Sequence, residues 1–562
     1  MMIKTPRRFL IVVLLLGWVF DFLFWEKSIG VNFAIFTTLS LLGGIYILFV
    51  NGMRPAPQSL LLLIPFLFFA VVTFMRREPL TAGLAYTFVL FSMGVFATTY
   101  AGGKWLQYRL FDYFYQFFDL LISISVRPLQ YLAQLRQNWK ERAPEEQRKF
   151  PVWPVLRGLL IALPVVACFG SLFASADLVF NQRIVDFFED YSFRDTVEDV
   201  FRVFLILFWA YILMGVFLHT AAKSTDEKLL GEDKLILKPF LGFTEAAIVL
   251  SSVVVLFSAF VSIQFQYFFG KTANIGVGEF TYSEYARRGF TELVLVIFFS
   301  LLLVLGLNII TRRGNGLQKR IYSGLSVLLL LLVIPILVSG FQRLLLGIEW
   351  HGYSRLRLYP RIFMIWVAIL LAAVIVLEIF RRERYFALAA LLASIGFAAS
   401  LSFFDIDASI AGHNIYRAAT GRHFNVTYLA SLSTDAIPRI AYKFKNSDLP
   451  TTTREGVGAA LLCYMHSNAF ADEFKGVGDL VDESEAEAET PGDEADQSET
   501  VTEEAVEKLD WQGFTVSRGQ ALEALDEIEP LLGDYHINTE RNPMRVVAPS
   551  EAIYECPWGG GD

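Results

Sequence analysis

A chain of 562 residues that is 54% hydrophobic and only 19% charged does not have the composition of a soluble multidomain protein. The net charge of −8 says little about partners, because the excess of acidic residues is concentrated in one late segment. Three cysteines are too few for a disulfide framework or a zinc site.

Long apolar runs recur along the chain, and each can cross a hydrocarbon layer of about 30 Å. Lipid offers the backbone no hydrogen-bond partner, so each run is predicted to be a helix. The first run lacks a small-x-small cleavage site, which favours a retained span over a signal peptide. The sequence therefore predicts an all-α polytopic membrane protein with about 11 transmembrane helices, at residues 9–25, 29–50, 59–75, 79–100, 152–175, 199–219, 243–269, 290–311, 321–346, 361–380 and 384–403.

The distribution of Lys and Arg over the short loops predicts the orientation. With the N-terminus in the cytoplasm, the cytoplasmic loops carry 23 of these residues and the opposite loops 11. We therefore expect a cytoplasmic N-terminus and, after eleven spans, an extracytoplasmic C-terminus. One miscounted span would reverse the position of the C-terminus.

Hydropathy and charge divide the chain into six predicted segments. They are N-terminal transmembrane helices 1–4 (1–103), an amphipathic cytoplasmic-face helix and loop (104–150), transmembrane helices 5–11 (151–403), a small extracytoplasmic module (404–471), an acidic disordered insertion (472–510), and a C-terminal helical segment and tail (511–562). The segments after 403 form a predicted small, mostly helical, soluble region.

Residues 104–140 repeat leucines and aromatic residues at spacings of three and four, among them Leu106, Leu110 and Phe114. Charged residues interrupt this apolar stripe. The pattern favours a helix lying on the cytoplasmic membrane face with its cations near anionic lipid. The alternative is a further buried span.

The C-terminal region contains one segment that should not fold. Residues 472–510 hold sixteen Asp or Glu against two Lys, a composition typical of disorder. Structure is predicted to resume at Trp511, with Ser517 as a helix N-cap and Ala521, Leu522, Leu525 and Ile528 on one helical face. Cys463 and Cys556 both follow the last span, so one disulfide can form there if this region lies outside the cytoplasm.

The stretch GEFTYSEYARRGFTEL begins the eighth predicted span. Thr281 and Glu284 fit a capping box, and Glu284, Arg288 and Glu292 then share one helical face at a spacing of four. One interpretation is a well-capped helix entrance with its own ion pairs. The other is a ligand, lipid-headgroup or proton-linked site, because charged residues at the hydrocarbon edge usually face the protein interior or a water-filled cavity.

Two further polar segments, GIEWHGYSRLRLYPRIF and FFDIDASIAGHNIYR, are predicted to reach the same membrane face. We expect arginine-to-carboxylate pairs between these segments to hold the C-terminal region against the membrane domain. No metal site is predicted, because their Asp and His residues lack a metal-binding spacing. The candidate outer-face polar cluster comprises Glu284, Arg287, Arg288, Glu292, Arg355, Arg357, Asp405, Asp407, His413 and Arg417.

The motifs of the common enzyme classes G-x-S-x-G, G-x-x-x-x-G-K-[ST] and C-x-x-C do not occur in the chain. No catalytic residue and no cofactor are therefore predicted. Lys and Arg line the membrane faces and form no stripe for nucleic acid, so nucleic acid is not an expected partner.

Four blocks occur together and in order, EYARRGFTEL (284–293), RLRLYP (355–360), DIDASIAGHNIYR (405–417) and YLASLSTDAIPRI (428–440). They resemble the recurring blocks of a bacterial family of multi-spanning membrane proteins that is a domain of unknown function. The segment WQGFTVSRGQAL (511–522) is similar to that family's tail, whereas residues 472–510 look like an insertion. The resemblance implies the bacterial cytoplasmic (inner) membrane and assigns no catalytic role.

Three functions are compatible with the sequence. The first is a non-enzymatic envelope, sensing or partner-binding protein, with the lipid bilayer and a protein partner of the C-terminal region as its contacts. The second is a transporter or channel, which the position of ionisable residues near the span ends disfavours. The third is a membrane enzyme acting on a lipid-linked substrate at the outer face.

Overall fold

The computed structural model describes residues 3–142, 193–224, 240–269, 290–312, 316–467, 470, 511–539 and 541–557. Two predicted segments, the span at 152–175 and the acidic insertion at 472–510, lie outside the described residues. All statements below concern the described part of the chain.

Twelve helices precede the C-terminal region in the described ranges, and most follow long apolar runs. They are α1 (Pro6–Phe24), α2 (Val31–Val50), α3 (Pro57–Leu60), α4 (Leu63–Met75), α5 (Pro79–Thr99), α6 (Leu110–Arg142), α7 (Phe193–Lys223), α8 (Phe243–Phe269), α9 (Phe290–Ile310), α10 (Gly316–His351), α11 (Arg355–Ile379) and α12 (Phe386–Phe404).

Nine stretches of the described chain are helical, long and apolar enough to cross a membrane: α2, α3 with α4, α5, and α7 to α12. The protein is therefore a helical, multi-pass membrane protein. Helix α1 occupies the first predicted span, but Arg7, Arg8 and Asp21 give it three charged residues within its 19 residues, and it is not among the nine. The predicted number of eleven is thus not confirmed.

Helix α6 covers most of the predicted amphipathic segment and packs against α7. Lys223 Nζ donates to both carboxylate oxygens of Asp119 at 2.5–2.6 Å, and His219 Nδ1 lies 2.8 Å from Ser123 Oγ. The opposite side exposes Phe114 and Phe118, among other apolar residues. This arrangement agrees with an amphipathic helix, while its place at the cytoplasmic membrane face stays a prediction.

Small residues and one ion pair bring α1 and α7 together. A Cβ atom at Gly17 would lie 2.3 Å from the carbonyl oxygen of Ile206, so only glycine permits this close approach. Arg202 Nη2 donates to the buried Asp21 at 2.9 Å near one end of the two helices. The Asp21 carboxylate of α1 is therefore paired within the protein.

The chain after α12 forms a helical unit, here called the C-terminal module (the described residues from 406 to 557), and its apolar core also includes Leu358 and Ile362 of α11 and Leu401 of α12. Helix α16 is at its centre, since every residue from Glu455 to Met465 is buried. The elements of the module are α13 (Ile406–Ala419), α14 (Val426–Ala430), α15 (Ile437–Asn446), α16 (Thr451–Met465), α17 (Val516–Ile528), β1 (His536–Asn538), β2 (Arg545–Val547) and β3 (Ile553–Glu555).

The predicted helix after Trp511 is present as α17. Of the predicted face, Ala521, Leu525 and Ile528 are fully buried, and Leu522 is partly buried. The predicted N-cap is wrong: Thr515 precedes the first turn, and Ser517 lies inside it, 2.7 Å from the hydroxyl of Thr434. The antiparallel sheet β1–β2–β3 was not predicted, because strands of three residues are too short for an alternating pattern to be recognised.

The module is seated on one end of the helix bundle. The carbonyl of Phe514 accepts from the N–H of Val31, just after the α1–α2 loop, and Asp435 accepts from Arg77 and Glu78 of the α4–α5 loop. At the other end of α1, the backbone N–H of Lys4 donates to Asn51 Oδ1. The module and the start of the chain therefore lie at opposite ends of α1.

A disulfide joins Cys463 of α16 to Cys556 after β3, 93 residues apart in the chain. It ties the three-stranded sheet to the central helix of the module. The third cysteine of the chain is Cys168.

We expect that protein denatured in SDS without a reductant reacts with maleimide at Cys168 alone, because the other two sulfur atoms are bonded to each other. Reduction should raise the number of modified cysteines from one to three, read as a mass shift. The Cys463→Ser variant is the control, and it should expose Cys556 to the reagent without reduction. Three modified cysteines in the unreduced wild type would contradict the disulfide.

Candidate functional site

The ten residues of the predicted polar cluster do not all meet. Glu284, Arg287 and Arg288 lie outside the described residues. Glu292 is exposed at the start of α9, and in the described part of the chain no hydrogen bond or ion pair connects it to the other members. The remaining six lie where the module meets α10, α11 and the α4–α5 loop.

The centre of this junction is an ion pair between Arg355, the first residue of α11, and Asp407 in the first turn of α13. Arg355 Nε donates to Asp407 Oδ1 at 2.9 Å, and Nη2 donates to Oδ2 at 2.5 Å. The Asp407 side chain is 0% exposed, and its Oδ2 also accepts from the Ser433 N–H at 2.7 Å. The bidentate guanidinium–carboxylate pair and the backbone donor together compensate the buried negative charge of Asp407.

A second ion pair lies beside the first. Arg76, which follows α4, pairs with Asp405, and its Nε also donates to the Ser402 carbonyl at 3.2 Å. Asp405 has φ of 42° and caps α13 by accepting from the Ala408 N–H. Burial raises the pKa of the Asp405 carboxyl, and the Arg76 guanidinium counteracts part of that rise.

The α4–α5 loop is fixed by two more carboxylates. Asp435 Oδ2 accepts from the N–H groups of Arg77 and Glu78 at 3.0 and 2.9 Å. Glu78 is the N-cap of α5, accepting from Leu80 N–H at 2.9 Å and Thr81 N–H at 2.8 Å, and it also accepts from the Tyr359 hydroxyl. These carboxylates bind backbone N–H groups and cap a helix. Of their oxygen atoms, the buried Asp435 Oδ1 alone has no hydrogen-bond partner in the described part of the chain.

The other predicted residues hold the end of α10. Arg417 Nη1 donates to the carbonyls of Ile348 and Glu349 at 2.7 and 2.8 Å, which satisfies the C-terminus of that helix. Arg357 Nη1 donates to the Gly352 carbonyl at 3.0 Å. The His413 ring stacks on Tyr353 with its centroid 4.4 Å away. These three side chains have structural roles that the sequence pattern did not distinguish from a binding role.

A cavity of about 550 Å³ opens at the same junction. Among the described residues, arginines and hydroxyl groups supply its polar side chains, and none of these lining residues is Asp, Glu, His or Cys. The lining residues come from both the membrane region and the module: Arg77, Pro79, Arg355, Ser431, Leu432, Ser433, Thr434, Tyr464, Ser467, Phe470 and Arg518. We call it the arginine cavity.

Arg77 contributes a positive charge to this cavity. Arg355 is neutralised by Asp407, but in the described part of the chain no carboxylate forms an ion pair with the Arg77 side chain. The Arg518 guanidinium lies over the Phe470 ring, 5.7 Å from its centroid. Burial raises the pKa of Tyr464 well above its usual value, so this hydroxyl stays protonated and donates to the carbonyls of Leu429 and Leu432.

Arg76, Arg77, Glu78 and Arg518 were missed as site residues, although the sequence contained a signal for the first three. These three residues lie between two spans, on the side of the membrane whose loops are predicted to carry fewer Lys and Arg. The two arginines there oppose the positive-inside pattern, as Arg287 and Arg288 do. Arg518 belongs to the quoted WQGFTVSRGQAL segment, but nothing in its spacing places it beside the α4–α5 loop.

A family model described as a domain of unknown function (DUF4153) matches residues 63–442, more than half of the chain. The match includes Arg77, Arg355 and Asp407 and ends before Tyr464 and Arg518. No curated protein matches this chain. No solved structure matches it either.

The Arg355–Asp407 pair predicts an unequal response to the removal of its two members. Arg355→Met leaves a fully buried carboxylate without its cation and should destabilise the protein by about 3–5 kcal/mol. Asp407→Asn leaves a half-buried arginine beside the cavity and should cost less. The double variant should be more stable than Arg355→Met alone. Thermal unfolding of the detergent-solubilised protein measures all three.

The exposed pair of Arg545 and Glu555 on β2 and β3 provides the matched control. Arg545→Gln should change stability by less than about 1 kcal/mol, because exposed ion pairs contribute little. Equal destabilisation by Arg355→Met and Arg545→Gln would show that the junction does not depend on the buried pair.

Proposed function

Because the chain belongs to the DUF4153 family, whose activity is unknown, we propose a function from the geometry of its own site. The protein is a non-enzymatic sensing or partner-binding protein of the bacterial envelope. It binds an anionic ligand in the arginine cavity, between the C-terminal module and the membrane-spanning helices.

The observation that carries this proposal is the composition of the cavity wall. Arg77, Arg355 and Arg518 provide guanidinium groups, which match the geometry of phosphate and carboxylate groups. In the part of the chain that the structure describes, the lining residues include no carboxylate or imidazole to act as a general base. The nearby carboxylates Asp407 and Glu78 are occupied by an arginine, a tyrosine and backbone N–H groups. This arrangement supports binding in preference to catalysis.

The position of the cavity supports a sensing role. Arg77 and Pro79 belong to the α4–α5 loop, whereas Ser433, Phe470 and Arg518 belong to the module. An anion that contacts both Arg77 and Arg518 joins the two parts. Occupancy of the cavity therefore favours the docked module, and ligand binding and docking are thermodynamically linked.

The proposal places the module outside the cytoplasm. A disulfide between Cys463 and Cys556 persists in an oxidising compartment. The two-to-one excess of Lys and Arg on the loops at the other end favours a cytoplasmic N-terminus. Together with the bacterial family resemblance, these features support the cytoplasmic (inner) membrane as the location.

The test is thermal unfolding of the full chain in a zwitterionic detergent with inorganic phosphate, at ionic strength held constant with NaCl. We expect phosphate to raise the melting temperature of the wild type in a saturable way. A ligand at 100 times its dissociation constant stabilises the folded state by about 2.7 kcal/mol. Arg77→Gln and Arg518→Gln should each raise the phosphate concentration that gives half of the maximal stabilisation by about tenfold.

The control is Arg422→Gln, which removes an exposed arginine of the same module that does not line the cavity. It should leave the phosphate response unchanged. A wild type that does not respond to phosphate, or an equal loss in Arg422→Gln, would contradict a specific anion site at this junction.

A further inference from the structure

A second cavity borders the arginine cavity at the start of two spans. This second cavity, also about 550 Å³, shares Pro79 and Arg355 with the first. Its other lining residues are Leu80, Ser354, Leu356, Tyr359 and Tyr428. The anion site therefore opens beside the first turns of α5 and α11, where these helices begin their apolar sequence.

An apolar groove of about 440 Å³ lies further along the same two helices. Leu84 and Phe88 line it and follow Leu80 at spacings of four, on the same face of α5. Phe363 and Val367 line it from α11 and follow Tyr359 at the same spacing. Helices α9, α10 and α12 complete its walls.

The groove offers almost no polar group to a ligand. Its lining residues are apolar except for Ser394 and the indole N–H of Trp366. Ser394 donates to the Ala390 carbonyl at 2.9 Å, and Trp366 donates to Ser400 at 2.9 Å, so both donors are occupied. A polar solute would find no hydrogen-bond partner there, whereas a hydrocarbon chain needs none and can pack against the apolar walls.

The dimensions match one half of a bilayer. From Leu80 to Phe88 the α5 helix rises by about 12 Å at 1.5 Å per residue. Half of the hydrocarbon core of a membrane is about 15 Å thick. A lipid whose phosphate lies at the level of Arg77 would therefore place its chain along the groove.

We propose that the ligand of the arginine cavity is the phosphate group of an anionic membrane lipid, with a hydrocarbon chain lying between α5 and α11 in the apolar groove. This inference rests on the proposed function and names its ligand class. The positive charge of Arg77 selects a headgroup with net negative charge over a zwitterionic one. A soluble phosphate ester would share the head site but leave the groove unused.

The test compares a lipid with a soluble phosphate on the full chain in zwitterionic detergent micelles. The probes are phosphatidylglycerol, phosphatidylcholine and inorganic phosphate, and the readout is the melting temperature against probe concentration. The variants are Arg77→Gln, which alters the head site, and Ala393→Phe, which places a ring in the groove.

For the wild type we expect phosphatidylglycerol to stabilise the protein at concentrations at least tenfold lower than phosphatidylcholine. Arg77→Gln should raise the concentration needed for half of the maximal stabilisation by about tenfold, both for phosphatidylglycerol and for inorganic phosphate. Ala393→Phe should weaken only the response to phosphatidylglycerol. Its retained response to inorganic phosphate shows that the variant is folded.

Two outcomes separate the inference from the proposal on which it rests. If Ala393→Phe, and equally Ala390→Phe on the same wall, leave the phosphatidylglycerol response unchanged while phosphate still binds, the site takes a soluble phosphate and the lipid inference is wrong. If neither phosphatidylglycerol nor phosphate stabilises the wild type, the anion site itself is wrong, and the proposed function fails with it.

Discussion

The junction between the spans and the module depends on the burial of one carboxylate. Asp407 has no exposed surface, so its charge must be compensated by the protein. Arg355 supplies two guanidinium N–H groups from the first turn of α11, and Ser433 supplies a backbone N–H from the module. One side chain thereby fixes the start of a span, the start of α13 and the turn before α15 relative to one another.

The neighbouring contacts follow from this arrangement. Asp435, two residues after Ser433, reaches the N–H groups of Arg77 and Glu78, so the α4–α5 loop is held by the same turn. Glu78 then caps α5 and accepts from Tyr359, one turn after Arg355 on α11. Asp435 Oδ2 and both oxygen atoms of Glu78 are thus bound to backbone N–H groups. The Arg77 side chain lines a cavity in which none of the described lining residues carries a negative charge. The proposed anion site depends on this arginine.

Hydropathy predicted the membrane-spanning helices well, because an apolar run of span length in lipid has no alternative to a helix. Sequence reasoning also selected Arg355, Asp405 and Asp407, since charged residues at a membrane boundary require partners. It could not tell which arginine meets which carboxylate: Asp405 pairs with Arg76, more than 300 residues away in the chain. Arg357 and Arg417 looked equivalent to Arg355, yet they satisfy helix-end carbonyls. That difference lies in backbone geometry, which residue type and spacing do not specify.

The most direct measurement is amide hydrogen exchange of the full chain, read on the peptides that contain Arg77–Glu78 and Ser433, with and without phosphatidylglycerol in the detergent micelle. These N–H groups donate to Asp435 and Asp407, so both peptides should exchange slowly and should slow further together when the lipid is added. In Arg355→Met both should exchange faster. Rapid exchange at Arg77–Glu78 beside a protected Ser433, unaffected by lipid, would show a module that folds without docking and would contradict the account.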